Sequence, residues 1–375
     1  MTAAGFDAAI IGAGIVGAAC AAECARAGLR VVIIEGDVIG GGATSAGMGH
    51  IVVMDDSEAQ FALTSFSQNL WRELAQELPA AAEYDQCGTI WVAADAEEME
   101  EVLRKRDFYR EHGITAEVLN ELQLEEAEPN LRRGLAGGLL VPNDAVTYPP
   151  AVTRFLIERA IAAGAVVKQG RAVRRINQDG VLLANDELVS ATVTINATGS
   201  WSPELTPGID VQKRKGHLVI TDRYPGFVRH QLVELGYLKS AHSLTEDSVA
   251  FNAQPRRTGQ VLIGSSRQYG SQNSSIDQPM LSRMLSRAVE YMPGIARLSA
   301  IRSWTGFRAA TTDKLPLIGP SADNRRLFLA TGHEGLGITT SLATARLVAD
   351  QLVNRTSAIP IEPYLPTRVS RAGDH

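Results

Sequence analysis

Alternating apolar and polar stretches at the amino end of the chain predict a strand, a helix and a second strand. Residues 8–11 form an apolar run that is too short for a helix and stops at a glycine. A helical stretch follows, and residues 31–34 form a second apolar run that Glu35 ends. This order of elements predicts a βαβ unit with a glycine-rich turn after its first strand.

The turn has the composition of a dinucleotide-binding site. Gly12 permits a tight turn, Gly14 lets the backbone approach a pyrophosphate, and Gly17 lets the helix pack closely on the strand. The helix N-terminus would direct its free N–H groups at the pyrophosphate. Glu35 can accept hydrogen bonds from ribose hydroxyls and would repel a 2′-phosphate, which disfavours NADP. The turn alone does not distinguish an FAD-binding site from an NAD-binding site.

A second glycine-rich stretch covers residues 40–49 and is closed by His50. Such a stretch lets the backbone lie flat against a planar ligand and donate N–H groups to it. A domain that binds only NAD does not need this second glycine-rich stretch. For His50 two interpretations remain open: a position beside an isoalloxazine ring, or a side chain satisfied by the loop backbone.

Periodicity predicts the remaining elements. Helices are predicted over 57–78, 96–112, 119–129, 149–163 and 278–292, and GHEGLGIT at 332–339 is predicted to open a last long helix that runs to about 353. Strands are predicted over 88–93, 134–141, 165–168, 171–177, 181–184, 192–196, 215–222, 230–238, 248–254, 260–266 and 327–331.

In the helix over 96–112 we expect Met99, Val102 and Leu103 to face inward. Its glutamates are expected on a solvated face: Glu97, Glu98, Glu100 and Glu101.

Composition narrows the class of protein. The 375 residues are 45% hydrophobic and 21% charged, as in an ordinary globular protein, and the net charge of -6 gives no reason to expect nucleic acid. The amino end lacks a basic region, and its apolar run is interrupted by glycines, so neither a signal peptide nor a membrane span is predicted. Three cysteines indicate a reducing compartment, and we expect a cytoplasmic protein or, as the alternative, one held at the inner membrane through partners. No C-x-x-C pair is present, so no metal site is predicted.

Four blocks in order give the chain a family resemblance. They are GAGIVG with Glu35, GGATSAGMG, NATGSW, and the block G-F-R-x-x-T-x-D-x-x-P-x-I-G followed by GHEGLGIT. Together they resemble the D-amino-acid oxidase superfamily, in its glycine oxidase and sarcosine oxidase-like branch. Within this branch AGMGHIVVMDD and GHEGLGIT look like the catalytic flavoprotein subunits of bacterial hydroxyproline dehydrogenases, with cyanide-forming glycine dehydrogenase subunits as near relatives.

The resemblance implies an α/β fold. A Rossmann-like FAD-binding domain would comprise residues 1–85, 145–205 and 305–365, and an antiparallel-sheet substrate domain residues 86–144 and 206–304. The cofactor would be FAD, held without a covalent bond because no cysteine lies beyond Cys87. The implied FAD contacts are Gly12, Gly14, Ile15, Val16, Gly17, Glu35, Gly36, Ala43, Thr44, Met48, Gly49, His50, Val173, Gly199, Gly332, His333, Gly335, Leu336, Gly337, Ile338 and Thr339.

The resemblance also implies a substrate site. Arg308 would pair with a substrate carboxylate, the alternative being a structural ion pair with Asp313. Glycine oxidases carry a tyrosine where this sequence has Phe251 and Asn252, which argues against glycine oxidase itself. We therefore expect Asn252 and His50 to complete the substrate site.

The implied reaction is oxidation of the C–N bond of a small amino or imino acid, with hydride transfer to flavin N5. D-Hydroxyproline or a proline-like compound is the expected substrate. Electrons would pass to partner subunits carrying iron–sulfur or flavin centres, or alternatively to O₂ as in an oxidase. A non-catalytic flavin-binding subunit and an RNA-modifying flavoenzyme are weaker alternatives, the latter because no basic stripe is present.

Overall fold

Two eight-stranded sheets carry the fold of the computed structural model, which describes residues 5–236 and 247–370. The strands are β1 (Phe6–Ile11), β2 (Val31–Glu35), β3 (His50–Ile51), β4 (Thr89–Ala93), β5 (Glu117–Asn120), β6 (Gly137–Val141), β7 (Ala145–Val146), β8 (Val166–Gln169), β9 (Val173–Asn177), β10 (Gly180–Leu183), β11 (Leu188–Asn196), β12 (Gln212–Arg223), β13 (Gln231–Glu234), β14 (Ser248–Pro255), β15 (Gln260–Arg267), β16 (Ala300–Ala310), β17 (Leu317–Pro320) and β18 (Leu327–Thr331). The helices are α1 (Ile15–Arg26), α2 (Gly42–Ala46), α3 (Glu58–Ala75), α4 (Ala96–Glu111), α5 (Glu121–Ala127), α6 (Pro149–Ala162), α7 (Ser202–Leu205), α8 (Gln278–Tyr291), α9 (Gly337–Leu352) and α10 (Thr367–Ser370).

The first sheet has the order β17-β18-β11-β1-β2-β8, and the hairpin β9–β10 pairs with β11. β1 lies parallel between β2 and β11, as the βαβ pattern predicts. Strands covered on both faces are apolar throughout because neither face meets water. Ala8 and Ile10 pack with α1, while Ala9 and Ile11 pack on the opposite face with residues of β10.

Helices α1, α6 and α9 cover one face of this sheet, and α1 contacts both of the others. Its buried residues are small, among them Ala18, Cys20 and Cys24, which lets the three helices approach closely. The two cysteines are free and fully buried, as predicted, and burial raises the pKa of the Cys24 thiol to about 12. This helical layer presents the N-termini of α1 and α9 to the same region.

The second sheet has the order β16-β12-β15-β14-β13-β4-β6-β5. Its neighbours are antiparallel except for β13 and β4, which are parallel, so the prediction of an antiparallel sheet needs this correction. A parallel pair is possible here because a long stretch of chain separates the two strands. α8 covers one face, where Phe251 stacks on Tyr291 with ring centroids 4.7 Å apart.

Helix α4 differs from its prediction at two positions. Leu103, expected to face inward, is 42% exposed, and the inward positions are taken by Val102 and Lys105. Glu98, expected on the solvated face, is buried, and its carboxylate accepts a hydrogen bond from the amide of Ala94 at 2.8 Å. Backbone N–H groups at a helix start need acceptors, and this requirement outweighs the solvation of one glutamate.

Two further predictions concern boundaries. The strand predicted over 230–238 is observed as Gln231–Glu234, and its last two residues lie outside the described residues. Strand β16 belongs to the second sheet as far as Ala310, and so it crosses residue 305, where the FAD-binding domain is predicted to resume. The division into two domains stays a prediction. Within the described ranges, no helix is both long and apolar enough to cross a membrane.

Candidate functional site

A cavity of about 650 Å³ is lined by residues of both sheets. Most of the residues nominated from the sequence line it: Gly12, Gly14, Ile15, Val16, Glu35, Gly36, Ala43, Thr44, Met48, Gly49, His50, Val173, Gly199, Asn252, Arg308, His333, Gly335, Gly337 and Ile338. Gly17, Gly332, Leu336 and Thr339 lie outside the lining. The fold therefore brings seven separate segments of the chain to one cavity: 12–16, 35–50, 173, 199, 252, 308 and 333–338.

The glycine turn after β1 lies at one end of this cavity. Gly12 has a φ of +97°, and a Cβ there would lie 2.7 Å from the carbonyl oxygen of Ala197. A Cβ on Gly17 would lie 1.9 Å from the carbonyl oxygen of Gly12, which explains why this glycine is needed although it does not line the cavity. Gly14, the residue before α1, makes no side-chain cap, and the amide of Ile15 donates instead to the hydroxyl of Thr44 at 3.0 Å. The N-terminus of α1 and Thr44 therefore face the cavity together, an arrangement that suits an anion.

Glu35 is oriented by the backbone at the end of β2. One carboxylate oxygen accepts a hydrogen bond from the amide of Ala13 at 2.7 Å, and the other from the amide of Asp37 at 2.8 Å. Each oxygen retains a further lone pair for a ligand hydroxyl. Gly199 lies across the cavity with a φ of +58° and no atom within 4 Å of a Cβ position. These features fit the adenosine and pyrophosphate portion of a dinucleotide.

The second glycine-rich stretch folds into α2 and the turn before β3. A Cβ on Gly49 would lie 2.0 Å from the carbonyl oxygen of Thr147, and one on Gly47 would lie 2.7 Å from Cδ1 of Ile338. This loop is therefore pressed against the start of α9 and the strand before α6. Its backbone lies close to the cavity because bulky side chains are absent, which fits a flat ring system.

His50 lines the same part of the cavity. Its Nε2 is buried without a hydrogen-bond partner in the described chain, which disfavours the interpretation that loop backbone satisfies this nitrogen. Burial and, to a smaller extent, the charge of Arg308 lower the pKa of His50 to about 4, although the side chain of Gln254 partly opposes this shift. His50 is thus a neutral imidazole at neutral pH, and its role stays a prediction.

Arg308 extends from β16 to the cavity. Its Nη1 donates a hydrogen bond to the carbonyl oxygen of Ser266 at 2.9 Å. The guanidinium lies over Gly216, where a Cβ would come within 2.5 Å of Nη1. Asp313, the alternative partner weighed from the sequence, instead forms an ion pair with Arg368 at 2.7 Å.

Asn252 and Phe251 point in opposite directions from β14, as successive strand residues must. Asn252 lines the cavity, and its Oδ1 is buried without a partner in the described chain. Phe251 is fully buried in the core beneath the sheet. Oδ1 of Asn252 is therefore available to a ligand in the cavity, which supports the prediction of this residue for the substrate site.

Sequence reasoning missed a charged cluster beside Arg308. Glu334, a cavity-lining residue, accepts a hydrogen bond from Nη1 of Arg214 at 2.7 Å, and Nε of Arg267 lies 3.8 Å from the same carboxylate. Burial alone would raise the pKa of Glu334, but the charges of Arg267, Arg308 and Arg214 lower it to about 2. The sequence does contain a signal for this cluster. A glutamate lies inside a glycine-rich loop, and arginines lie at inward-facing positions of strands.

Thr339 and His333 organise the loop before α9. The hydroxyl of Thr339 donates to the backbone carbonyl of His50 at 2.8 Å. Nε2 of His333 lies 2.9 Å from the hydroxyl of Thr344, and burial lowers the pKa of His333 to about 3. These hydrogen bonds hold the loop in place, and the contact of both residues with FAD stays a prediction.

Comparison with known proteins identifies related sequences over almost the whole chain. The model of the family described as FAD dependent oxidoreductase (DAO) matches residues 7–351. The glycine oxidase of Geobacillus kaustophilus (strain HTA426) is 29% identical over 378 residues, covering 97% of each chain. The hydrogen cyanide synthase subunit HcnC of Pseudomonas aeruginosa is 26% identical over 430 residues, covering 97% of this chain and 96% of the relative.

Solved structures share the fold. The crystal structure of glycine oxidase from Geobacillus kaustophilus superposes with a TM-score of 0.87 at 27% identity, over 97% of this chain and 98% of that one. The L-proline dehydrogenase from P. horikoshii superposes with a TM-score of 0.88 at 22% identity, over 98% of both chains, which is a likeness of fold alone. The predicted fold class is thereby confirmed.

Proposed function

Because this chain belongs to the DAO family of FAD-dependent oxidoreductases, we propose that it oxidises the C–N bond of a small amino or imino acid to the imine. Relatives named as glycine oxidases and as a D-amino acid dehydrogenase support this substrate class. Within it we propose D-hydroxyproline or a proline-like compound. The blocks AGMGHIVVMDD and GHEGLGIT, which resemble subunits of hydroxyproline dehydrogenases, support that choice.

The position of Arg308 is the observation that carries the proposal. In the described chain its hydrogen-bond partner is the carbonyl of Ser266, which engages Nη1 and leaves Nε and Nη2 for a ligand in the cavity. A guanidinium binds a carboxylate through two parallel hydrogen bonds, which fixes orientation as well as distance. The α-carbon of an amino acid held in this way has a fixed position and orientation in the cavity.

The cavity fits FAD at both ends. We assign the pyrophosphate to the N-terminus of α1 and the ribose hydroxyls to Glu35. The flavin ring would lie along the loop that contains Met48 and Gly49, with the N-terminus of α9 near its pyrimidine end. Bound FAD supplies the electron acceptor, which takes the hydride at N5 of its ring. We propose that it is held without a covalent bond.

The chain's own residues orient the substrate rather than transfer its protons. We propose that Nε2 of His50 and Oδ1 of Asn252, both without partners in the described chain, face the amine side of the substrate. A neutral His50 adds no positive charge near the amine, whose lone pair must be free when hydride leaves. Both residues also line the wall of the cavity.

The electron acceptor has two candidate identities. We favour partner subunits with iron–sulfur centres, which is supported by the similarity to HcnC, a protein named as a synthase subunit. The alternative is an oxidase that uses O₂, which is supported by the similarity to glycine oxidases. Purified chain that produces H₂O₂ at the rate of substrate oxidation would favour the oxidase, whereas turnover only with an artificial acceptor would favour the dehydrogenase.

The decisive test is an anaerobic screen of the FAD-loaded protein. D- and L-proline, the hydroxyprolines, glycine and sarcosine are added one at a time, and loss of flavin absorbance is recorded. We expect rapid loss with a proline-like D-amino acid and slow or no loss with glycine. If none of these compounds reduces the flavin, or if the protein does not retain FAD after reconstitution, the proposed function is wrong.

A further inference from the structure

Three arginines from adjacent strands surround one carboxylate at the substrate end of the cavity. Arg214 on β12 lies directly opposite Arg308 on β16 in the strand register, and β15, which carries Arg267, pairs with β12 on its other side. Like charges placed opposite one another on a sheet repel. All three side chains are buried or half-buried, so water offsets little of this repulsion.

Glu334 is the acidic group that faces these arginines. Its side chain is 12% exposed, and it lies close enough to Arg214 and Arg267 for ion pairing. Arg214 is itself held by the ring of Tyr269, whose centroid lies 4.6 Å from the guanidinium carbon. Three positive charges and one negative charge leave an excess of positive charge, which suits a site for an anion.

Glu334 also joins the two parts of the site. Its amide donates a hydrogen bond to the carbonyl oxygen of Ala309, the neighbour of Arg308, at 2.7 Å. Its backbone has a φ of +50°, and the next residue, Gly335, passes so near that a Cβ there would lie 3.9 Å from Nε of Arg308. The loop assigned to the flavin and the strand that carries Arg308 are therefore fastened to each other at Glu334.

We propose that Glu334 is a positioning residue that holds Arg308 in the orientation required for the substrate carboxylate, with Arg214 anchoring Glu334 from behind. The inference rests on the proposed function, because it takes Arg308 as the carboxylate-binding group. It adds a residue that determines the specificity of that site: selection of a substrate carboxylate depends on a second carboxylate nearby, that of Glu334.

Two physical effects of Glu334 predict opposite results. If Glu334 acted only as a counter-charge, its removal would leave a more positive cavity and would tighten the binding of anions. If it positions Arg308, its removal lets the repelled guanidinium turn away, and anions bind more weakly despite the added positive charge. The sign of the change in anion affinity therefore separates the two roles.

The experiment compares Glu334→Gln with Glu83→Gln in the FAD-loaded protein. Glu83 is a matched control, since it has a φ of +49°, is 15% exposed and forms an ion pair with Arg256, yet does not line the cavity. The probes are pyrrole-2-carboxylate and pyrrole-2-carboxamide, which differ in charge but little in shape. Binding is followed through the perturbation of the flavin spectrum, and FAD content and KM against kcat are measured in parallel.

We expect Glu334→Gln to weaken pyrrole-2-carboxylate about tenfold or more, with the carboxamide and the FAD content nearly unchanged and Glu83→Gln like the wild type. Unchanged or tighter carboxylate binding would overturn the inference, as would an equal loss for both probes. If Glu334→Gln does not fold, Arg214→Gln tests the same point, because it removes the anchor of Glu334, and the same selective loss is expected.

Arg308→Gln separates this inference from the proposed function. If Arg308→Gln leaves carboxylate binding intact, the proposed substrate site itself is wrong. If Arg308→Gln abolishes binding while Glu334→Gln and Arg214→Gln do not change it, the proposed function stands and only the positioning role fails.

Discussion

The hydroxyl of Thr339 donates a hydrogen bond to the backbone carbonyl of His50 at 2.8 Å, and so joins the first turn of α9 to the second glycine-rich loop. The carbonyl of Thr339 accepts hydrogen bonds from the hydroxyl of Ser67 and from the indole N–H of Trp71, at 2.9 Å for the latter. Three segments far apart in sequence thus meet at one threonine. The loop assigned to the flavin ring depends on this junction for its position.

Replacing Thr339 by valine keeps the shape of the side chain but removes the donor. The carbonyl of His50 then loses a buried partner, and we expect the free energy of unfolding to fall by about 1–3 kcal/mol, with faster release of FAD. Denaturant unfolding and flavin fluorescence measure the two effects. Thr340→Val is the control, because its hydroxyl donates to the carbonyl of Leu336, the residue immediately before α9, and joins no distant segment. An equal effect of both variants would contradict a special role for Thr339.

Arg308→Lys should raise KM about tenfold to a hundredfold, because an ammonium group cannot make the paired hydrogen bonds of a guanidinium to a carboxylate. Steady-state kinetics with the substrate identified by flavin reduction provide the measurement. Arg302→Lys, on the exposed part of the same strand, should leave KM unchanged. Near-normal kinetics for Arg308→Lys would remove this residue from the proposed site.

Gly17→Ala should prevent stable FAD binding. A Cβ at this position would lie 1.9 Å from the carbonyl oxygen of Gly12, so the helix must move away from the glycine turn and its N-terminus no longer meets the pyrophosphate. The ratio of flavin to protein absorbance after purification measures the loss. Gly28→Ala, near the other end of the same helix, has nothing within 4 Å of its Cβ. It should cost only about 1 kcal/mol of backbone strain and should retain FAD.

Asp144 gives the stability of the protein a pH dependence of predictable sign. Burial raises its pKa from 3.8 to about 7, even though hydrogen bonds from the amide of Val53 and the side chain of Gln68 favour the ionised form. The folded state then binds a proton more tightly than the unfolded state, and stability from this group is present below pH 4 and is lost as the pH rises toward 7. Relative to Asp144→Asn, the wild type should become less stable across this interval in denaturant titrations.

Asp313→Asn is the control for this pH series. The ion pair with Arg368 lowers the pKa of Asp313 despite its partial burial, so its contribution is lost only as the pH falls below the ordinary carboxyl range. The difference between the wild type and Asp313→Asn should therefore stay constant from pH 5 to 7. A parallel trend in both variants would show that the effect does not belong to Asp144.

Local pattern was sufficient to predict the βαβ unit and the glycine turn. The requirement at Gly17 is a steric contact with the backbone of Gly12, five residues earlier, and Gly12 has the positive φ of +97° that the tight turn itself needs, so both follow from the local order of residues. The apolar runs of β1 and β2 were equally clear, because strands buried on both faces tolerate few polar residues. The helix capped by Ser57 also follows from neighbours in sequence, since its hydroxyl accepts from the amide of Gln60.

The sequence by itself determined the family of folds, the glycine turn and the arginine expected to meet a carboxylate, because each depends on residues close together in the chain. Only the tertiary structure decided which groups surround that arginine. Arg214, Arg267 and Glu334 come from two strands and a loop separated by many residues, and strand register brings them together. The effect that we propose for them on Arg308 is electrostatic. A charge acts through distance in space, which folding sets and which spacing along the chain does not encode.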